Sequence, residues 1–233
     1  MRAATYSRKG LRDENQDRAV ARAVEDGWLL AVADGMGGEA GGGLAAELAV
    51  AALEDFSPGP DAPAALAEAI RRADRDIHAR AEADPSLTRM GTTLTAAWVA
   101  GGTVHWAHAG DSRLYIFSQG NLRQLTRDHN YAGELVAAGE LSKAEAEHHP
   151  MRNVLEQCVG CPAMEPETGS EAVNSGGVLL LCSDGLSAPL GDEGLARELA
   201  QGGQPEDLAR ALVDKALAAG GTDNATVVVA VAE

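Results

Sequence analysis

Four aspartates stand where an apolar, strand-like run meets a glycine turn. Asp34 closes Trp28–Ala33 ahead of Gly35, and Asp111 follows Gly110 at the end of Val104–Ala109. Asp184 closes the run from Val178 to Ser183 ahead of Gly185, and Asp223 follows Gly220, Gly221 and Thr222 just before Thr226–Val231. A buried strand holds its last residue rigidly, and the adjoining glycine lets a ligand or another backbone come close. Carboxylates gathered in one place repel one another unless positive charge lies between them. A hard divalent cation, or a pair of them, suits such a cluster of oxygens. The pattern points to metal-assisted hydrolysis.

The elements that must carry these residues are legible from periodicity. Strands are expected at Arg18–Val24 and Trp28–Ala33, followed by a helix near Leu44–Leu53 and a longer one near Ala64–Arg80. In the longer helix Leu66, Ala69, Ile70, Ala73 and Ile77 share one face. Thr92–Val99, Val104–Ala109, Arg113–Phe117 and Asn121–Leu125 read as an antiparallel meander joined by hairpin-length turns. From Asp128 to about Gly177 the chain is polar and less regular, with a short helix pattern at Glu134–Ala138. A strand at Val178–Cys182, helices near Asp192–Ala200 and Glu206–Ala218, and a strand at Thr226–Val231 complete the pattern. Helix pair, strand block and helix pair imply an α+β layered sandwich, not a βαβ fold.

Composition bounds the function. The chain has 233 residues, which suits one large domain, and a formal net charge of −16, which opposes nucleic acid and anionic membranes. No stretch reaches the ~18 apolar residues of a membrane span. The first residues lack the apolar segment of a secretory signal, and three cysteines do not form a disulfide framework, so a cytoplasmic setting is expected. Cys158-Val-Gly-Cys161 has redox or zinc spacing, but without a second pair it is weak evidence for either, and Cys182 reads as core packing. Gly35-x-Gly37-x-x-Ala40 formally matches a dinucleotide fingerprint. Asp34 would repel a pyrophosphate there, and no parallel crossover follows, so a metal-ligand loop is the stronger reading.

Seven motifs in order carry a resemblance. They are Arg12-x-x-Asn15-Gln16-Asp17, Asp34-Gly35-Met36-Gly37-Gly38, Gly91-Thr92-Thr93, Gly110-Asp111-Ser112-Arg113, Leu125-Thr126-x-Asp128-His129, Leu181-Cys182-Ser183-Asp184-Gly185-Leu186 and Gly221-Thr222-Asp223-Asn224-x-Thr226. Together they resemble the metal-dependent protein phosphatases of type 2C, in their compact bacterial form, from about Gly10 to Val231. The resemblance implies a four-layer α-β-β-α sandwich of two antiparallel sheets flanked by helix pairs. It implies one domain over residues 1–233, with a flap at about 130–177. The implied activity is hydrolysis of serine and threonine phosphoesters on proteins, opposing a bacterial kinase, by a monomer.

The implied site follows residue by residue. Asp34 would bridge two Mn²⁺ or Mg²⁺ ions, one of them also bound by the Gly35 carbonyl, and Asp184 and Asp223 would complete the other ion's shell. Asp111, shared with Asp184, would help hold a third. Asp17 would orient coordinated water, Gln16 and Asn224 would support the ligands from behind, and Arg12 would grip the substrate phosphate. Gln16 replaces a glutamate of the animal members and Met36 a histidine that serves them as general acid. These two departures keep open a phosphatase-like phosphoprotein-binding module with weak or no catalysis. All proposed ligands are oxygens, which suits magnesium or manganese better than zinc. His105, His108 and His129 read as scaffold residues, and Arg152 as a loop residue within reach of a phosphopeptide.

Overall fold

Runs such as Leu29–Ala33 and Val227–Ala230 hold no polar residue to turn toward water, so strands built from them must be covered on both faces. The computed structural model, which describes residues 1–37 and 41–232, shows such coverage. In chain order the elements are β1 (Arg2–Arg8), β2 (Arg18–Val24), β3 (Gly27–Ala33), β4 (Gly35–Met36), α1 (Gly42–Ala51) and α2 (Ala62–Ala83). There follow β5 (Gly91–Thr92), β6 (Leu94–Ala100), β7 (Thr103–Ala109), β8 (Arg113–Ser118), β9 (Asn121–Gln124), α3 (Tyr131–Ala137) and α4 (Lys143–Ala146). Last come β10 (Glu167–Ala172), β11 (Val178–Cys182), α5 (Asp184–Leu199), α6 (Pro205–Ala218) and β12 (Ala225–Val231).

Two five-stranded antiparallel sheets form, in the orders β1-β12-β11-β8-β9 and β10-β7-β6-β3-β2, and β4 pairs with β5 alone. Strand alternation sorts the core into three layers. Leu29, Ala31 and Ala33 of β3 face α1 and α2, whereas Leu30 and Val32 face the other sheet. In β12, Val227 and Val229 face α5 and α6, whereas Val228 and Ala230 meet the first set between the sheets. The result is four layers, helices outside and sheets inside. Asp61 caps α2 by accepting from Ala64 N at 3.1 Å, Pro63 sits in its first turn, and its five periodic apolar residues are all buried.

Three elements depart from the sequence reading. β1 and β10 are edge strands, each paired on one side only, so polar sequences such as Glu167–Ala172 serve there without an apolar repeat. The segment expected to be irregular as far as Gly177 therefore ends in sheet structure. α5 begins eight residues before the expected Asp192, at Asp184, and Gly191 (φ 60°, ψ 171°) kinks it where the predicted helix begins. Cys158 and Cys161, whose redox or zinc spacing was weak evidence for either role, form a disulfide with Cα atoms 5.1 Å apart. Gly38 and Ala40 of the glycine-rich turn lie outside the described residues.

Candidate metal centre

Register brings the four aspartates to one end of the sandwich. β3 ends beside the start of β6 (Val32 opposite Thr95), and Leu94 of β6 lies opposite Ala109, the last residue of β7. Asp34 and Asp111 therefore leave the same rim of one sheet. In the other sheet Cys182, the end of β11, lies opposite Val227 near the start of β12, so Asp184 and Asp223 emerge together. Asp17 precedes β2, whose first residue Arg18 pairs with Ala33. All of them except buried Asp17 line one cavity of about 480 Å³, with Arg12, Gln16, Gly35, Met36 and Asn224 also in its wall.

Close backbone contacts make the glycines necessary. A Cβ on Gly35 would lie 2.1 Å from Gly42 O, and one on Gly185 would lie 2.0 Å from Asn224 O. Hydrogen bonds fix the aspartates from behind. Thr93 Oγ1 accepts from Asp34 N at 3.0 Å and lies 2.7 Å from Ser112 Oγ, while Thr92 Oγ1 donates to Asp34 O at 2.8 Å. Ser183 Oγ donates to Asp17 Oδ2 at 2.9 Å and accepts from Thr226 N at 3.0 Å. Asn224 Oδ1 accepts from Gln16 N at 2.8 Å, and its Nδ2 donates to the carbonyls of Lys9 and Glu14 at 2.9 Å. Asn224 thus ties the loop carrying Arg12 to the base of β12.

The electrostatics are those of a crowded anion cluster. Burial first, then the charges of Asp17, Asp184, Asp111 and Asp223, pushes the Asp34 carboxyl well above its ordinary value. Burial and the neighbouring Asp184 push Asp111 up to about 8. Burial raises Asp17 to about 6 against the hydrogen bonds of Thr226 and Ser183, and burial and Asp223 raise Asp184. Asp17 is 3% exposed and its Oδ1 has no hydrogen-bond partner. A buried, orphaned carboxylate oxygen beside recessed carboxylates whose charges repel is a donor set that fits hard cations.

The structure also shows where the other sequence candidates stand. The Arg12 guanidinium meets Asp223 Oδ2 at 2.6 Å across the cavity mouth, with its side chain 62% exposed. The Gln16 backbone amide donates to Asn224 Oδ1, and its side chain donates to Glu14. Met36 lines the cavity from β4. A second cavity of about 300 Å³ shares Asp111, Asn153 and Asp184 with the first and is walled by α3, α4, Lys143 and Arg152.

Sequence reasoning missed Asn130, whose Nδ2 lies 3.4 Å from Asp111 Oδ2, because that residue falls just past the motif ending at His129. His108, His129 and Glu167 also gather with donor atoms within 4.8 Å. Their donors are already engaged: His108 with Thr95 Oγ1 at 2.8 Å and Arg127 O at 3.0 Å, and His129 with Gly110 N at 3.3 Å and Glu167 at 3.2 Å. This network braces the Gly110–Asp111 turn from outside.

Residues 7–219 match the family model described as protein phosphatase 2C. The chain is 41% identical over 234 residues to the serine/threonine protein phosphatase PstP of Mycobacterium tuberculosis, a match that covers 99% of this chain. The chain spans 45% of that protein's length. The crystal structure of Mycobacterium tuberculosis PstP superposes with a TM-score of 0.91 at 41% identity, covering 100% of this chain and 98% of that one. A structure of the PstP catalytic domain in complex with two manganese ions superposes with a TM-score of 0.88 at 39% identity, covering 100% and 98%.

Proposed function

The chain belongs to the protein phosphatase 2C family, and on that premise we propose that it is a serine/threonine phosphoprotein phosphatase built as one catalytic domain. The observation that carries this reading is the convergence of Asp34, Asp111, Asp184 and Asp223 on one cavity, backed by the orphaned oxygen of Asp17. Asp34, the Gly35 carbonyl, Asp184 and Asp223 would hold two Mn²⁺ or Mg²⁺ ions, and Asp111 with Asp184 would hold a third. Ions held there would activate water for attack at neutral pH and neutralise charge on the phosphoryl oxygens.

The chain's own residues do the rest. Thr93 and Ser183 fix the backbone of Asp34 and the carboxylate of Asp17, so that neither must reorganise during reaction. Asp17 Oδ1, buried behind the cavity wall and without a hydrogen-bond partner, would accept from water held there and orient it. Arg12, on an exposed loop at the mouth, can release Asp223 and turn its planar fork onto the substrate phosphate. No side-chain nucleophile is required. The second cavity gives a protein substrate room beside the scissile phosphate, with Lys143 and Arg152 in its wall.

Protein substrates phosphorylated on serine or threonine, a cognate kinase among them, action as a monomer and a cytoplasmic setting belong to this proposal. No helix among the described residues is long and apolar enough to cross a membrane. Hydrolysis of p-nitrophenyl phosphate and of a phosphothreonine peptide, with Mn²⁺ and after EDTA, tests it. Metal-dependent turnover is expected. Peptide binding without turnover would instead identify a phosphoprotein-binding module.

A further inference from the structure

Cys158 and Cys161 close a turn that is joined to the metal centre through hydrogen bonds. Val159, between them, exchanges backbone hydrogen bonds with Thr92: Thr92 N donates to Val159 O at 3.0 Å and Val159 N to Thr92 O at 2.9 Å. Thr92 in turn pairs with Gly35, and its hydroxyl donates to Asp34 O at 2.8 Å. The turn is anchored at its back by Gly160 N, which donates to Asp74 Oδ1 at 2.7 Å, and by packing so close that a Cβ on Gly160 would lie 2.6 Å from Ile77 Cγ2. A Cβ on Gly91 would sit 3.3 Å from Cys158 Sγ and 3.2 Å from Met36 Cε, so the sulfur and Met36 press on the same backbone. Three steps of contact therefore separate the sulfurs from Asp34 and Gly35.

We propose that Cys158 and Cys161 are a reversible thiol–disulfide site, reduced by a dithiol and reoxidised by a disulfide, whose state sets the metal affinity of Asp34 and Gly35. The proposal rests on the reading of those two residues as ligands. Cys158 is fully buried and Cys161 partly exposed, so the incoming thiolate attacks the Cys161 sulfur. That attack breaks the Cys158–Cys161 bond, forms a mixed disulfide and releases Cys158 as a thiolate, which takes a proton. The reductant's second thiol then displaces Cys161. The protein gains two electrons and two protons, and the dithiol leaves as a disulfide. Two thiols do not fit at a bonded separation, and because Cys158 is held in the core the parting of the sulfurs moves the turn that carries Val159 against Thr92. Cys182 takes no part. It is buried on β11 in the other sheet, and burial pushes its thiol up to about 12.

The test compares the chain oxidised with diamide against the chain reduced with a phosphine and desalted. Intact mass after iodoacetamide in denaturant should show three labels on the reduced protein and one, at Cys182, on the oxidised one. Titration calorimetry with Mn²⁺ alone should show binding at least 5-fold weaker in the reduced form. The variant C158S/C161S, checked for folding by circular dichroism, should match the reduced form and lose the response. Equal Mn²⁺ affinity in the two wild-type forms, or free Cys158 and Cys161 after diamide, overturns the switch and leaves the metal centre standing. Absence of Mn²⁺ binding in both forms overturns the metal centre and the switch with it.

Discussion

Replacing Asp17 by asparagine should stabilise the cation-free protein while weakening its function. The Asp17 carboxyl is 3% exposed, one of its oxygens has no partner, and burial raises it from 3.8 to about 6. At 1.36 kcal/mol per pH unit, ionising it in the folded state costs about 3 kcal/mol. The folded value lies above the unfolded one. The group's favourable contribution is therefore complete below about pH 3.8 and is lost as the pH rises through about 6. Asparagine keeps the shape, can still accept from Ser183, and can point its amide N–H at the neighbouring carboxylates. In EDTA at pH 8 the variant should melt about 6–12 °C higher than wild type, given roughly 2–4 °C per kcal/mol at this size. At pH 4 the two should coincide, and in Mn²⁺ at pH 8 the difference should shrink as the cations neutralise the cluster. Thermal denaturation by circular dichroism reads all three conditions. A variant no more stable than wild type at pH 8 in EDTA would refute the electrostatic account. An equal gain at pH 4 would assign the effect to packing.

Four further outcomes follow from the geometry. Asp34→Asn should lower turnover by ~10³-fold or more with the circular dichroism spectrum unchanged; substantial residual activity refutes its bridging position. Arg12→Ala should raise KM for a phosphopeptide by ~10-fold or more with kcat within a few-fold, as expected for a lost charge-assisted hydrogen bond, and a fall in kcat alone refutes the grip. Gly185→Ala should cost about 1–3 kcal/mol and weaken Mn²⁺ binding, because its Cβ would lie 2.0 Å from Asn224 O; unchanged melting and calorimetry refute the close approach. His108 is kept neutral by burial, its value lowered from 6.5 to about 4. Its folded value lies below the unfolded one, so its stabilisation is present above about pH 6.5 and is lost as the pH falls toward 4. The stability gap between wild type and H108Q should narrow by up to about 3 kcal/mol between pH 7 and pH 4, and a constant gap in denaturant melts refutes it.

Much of the site was legible in the sequence because glycine, aspartate and strand ends coincide there. Asp34–Gly35 and Asp184–Gly185 each announce a rigid support and a place where backbone must come close, and the structure shows both contacts. What the linear pattern lacked was pairing. Glu167–Ala172 carries no apolar repeat, because β10 is an edge that needs only β7's backbone on one side. The first turns of α5 were missed because Pro189 and Gly191 break the periodic signal before the helix resumes. Arg12 was assigned to phosphate alone, and its pairing with Asp223 was not foreseen. The Cys158–Cys161 bond depends on how a turn is folded, which spacing does not encode.

The ladders of the two sheets are separate, and the cavity lies across the seam between them: Asp34 belongs to one side, Asp184 and Asp223 to the other. Ser183 and Asp17 bridge the same seam with a single hydrogen bond. The centre therefore acts as a caliper on how the halves are stacked, set by the side chains of Leu30, Val32, Leu179 and Val228 packed between the sheets. A sideways drift of ~1 Å between the halves can cost ~10²-fold in rate while leaving each half intact. Inactivation in mild denaturant should accordingly run ahead of the loss of helix and strand.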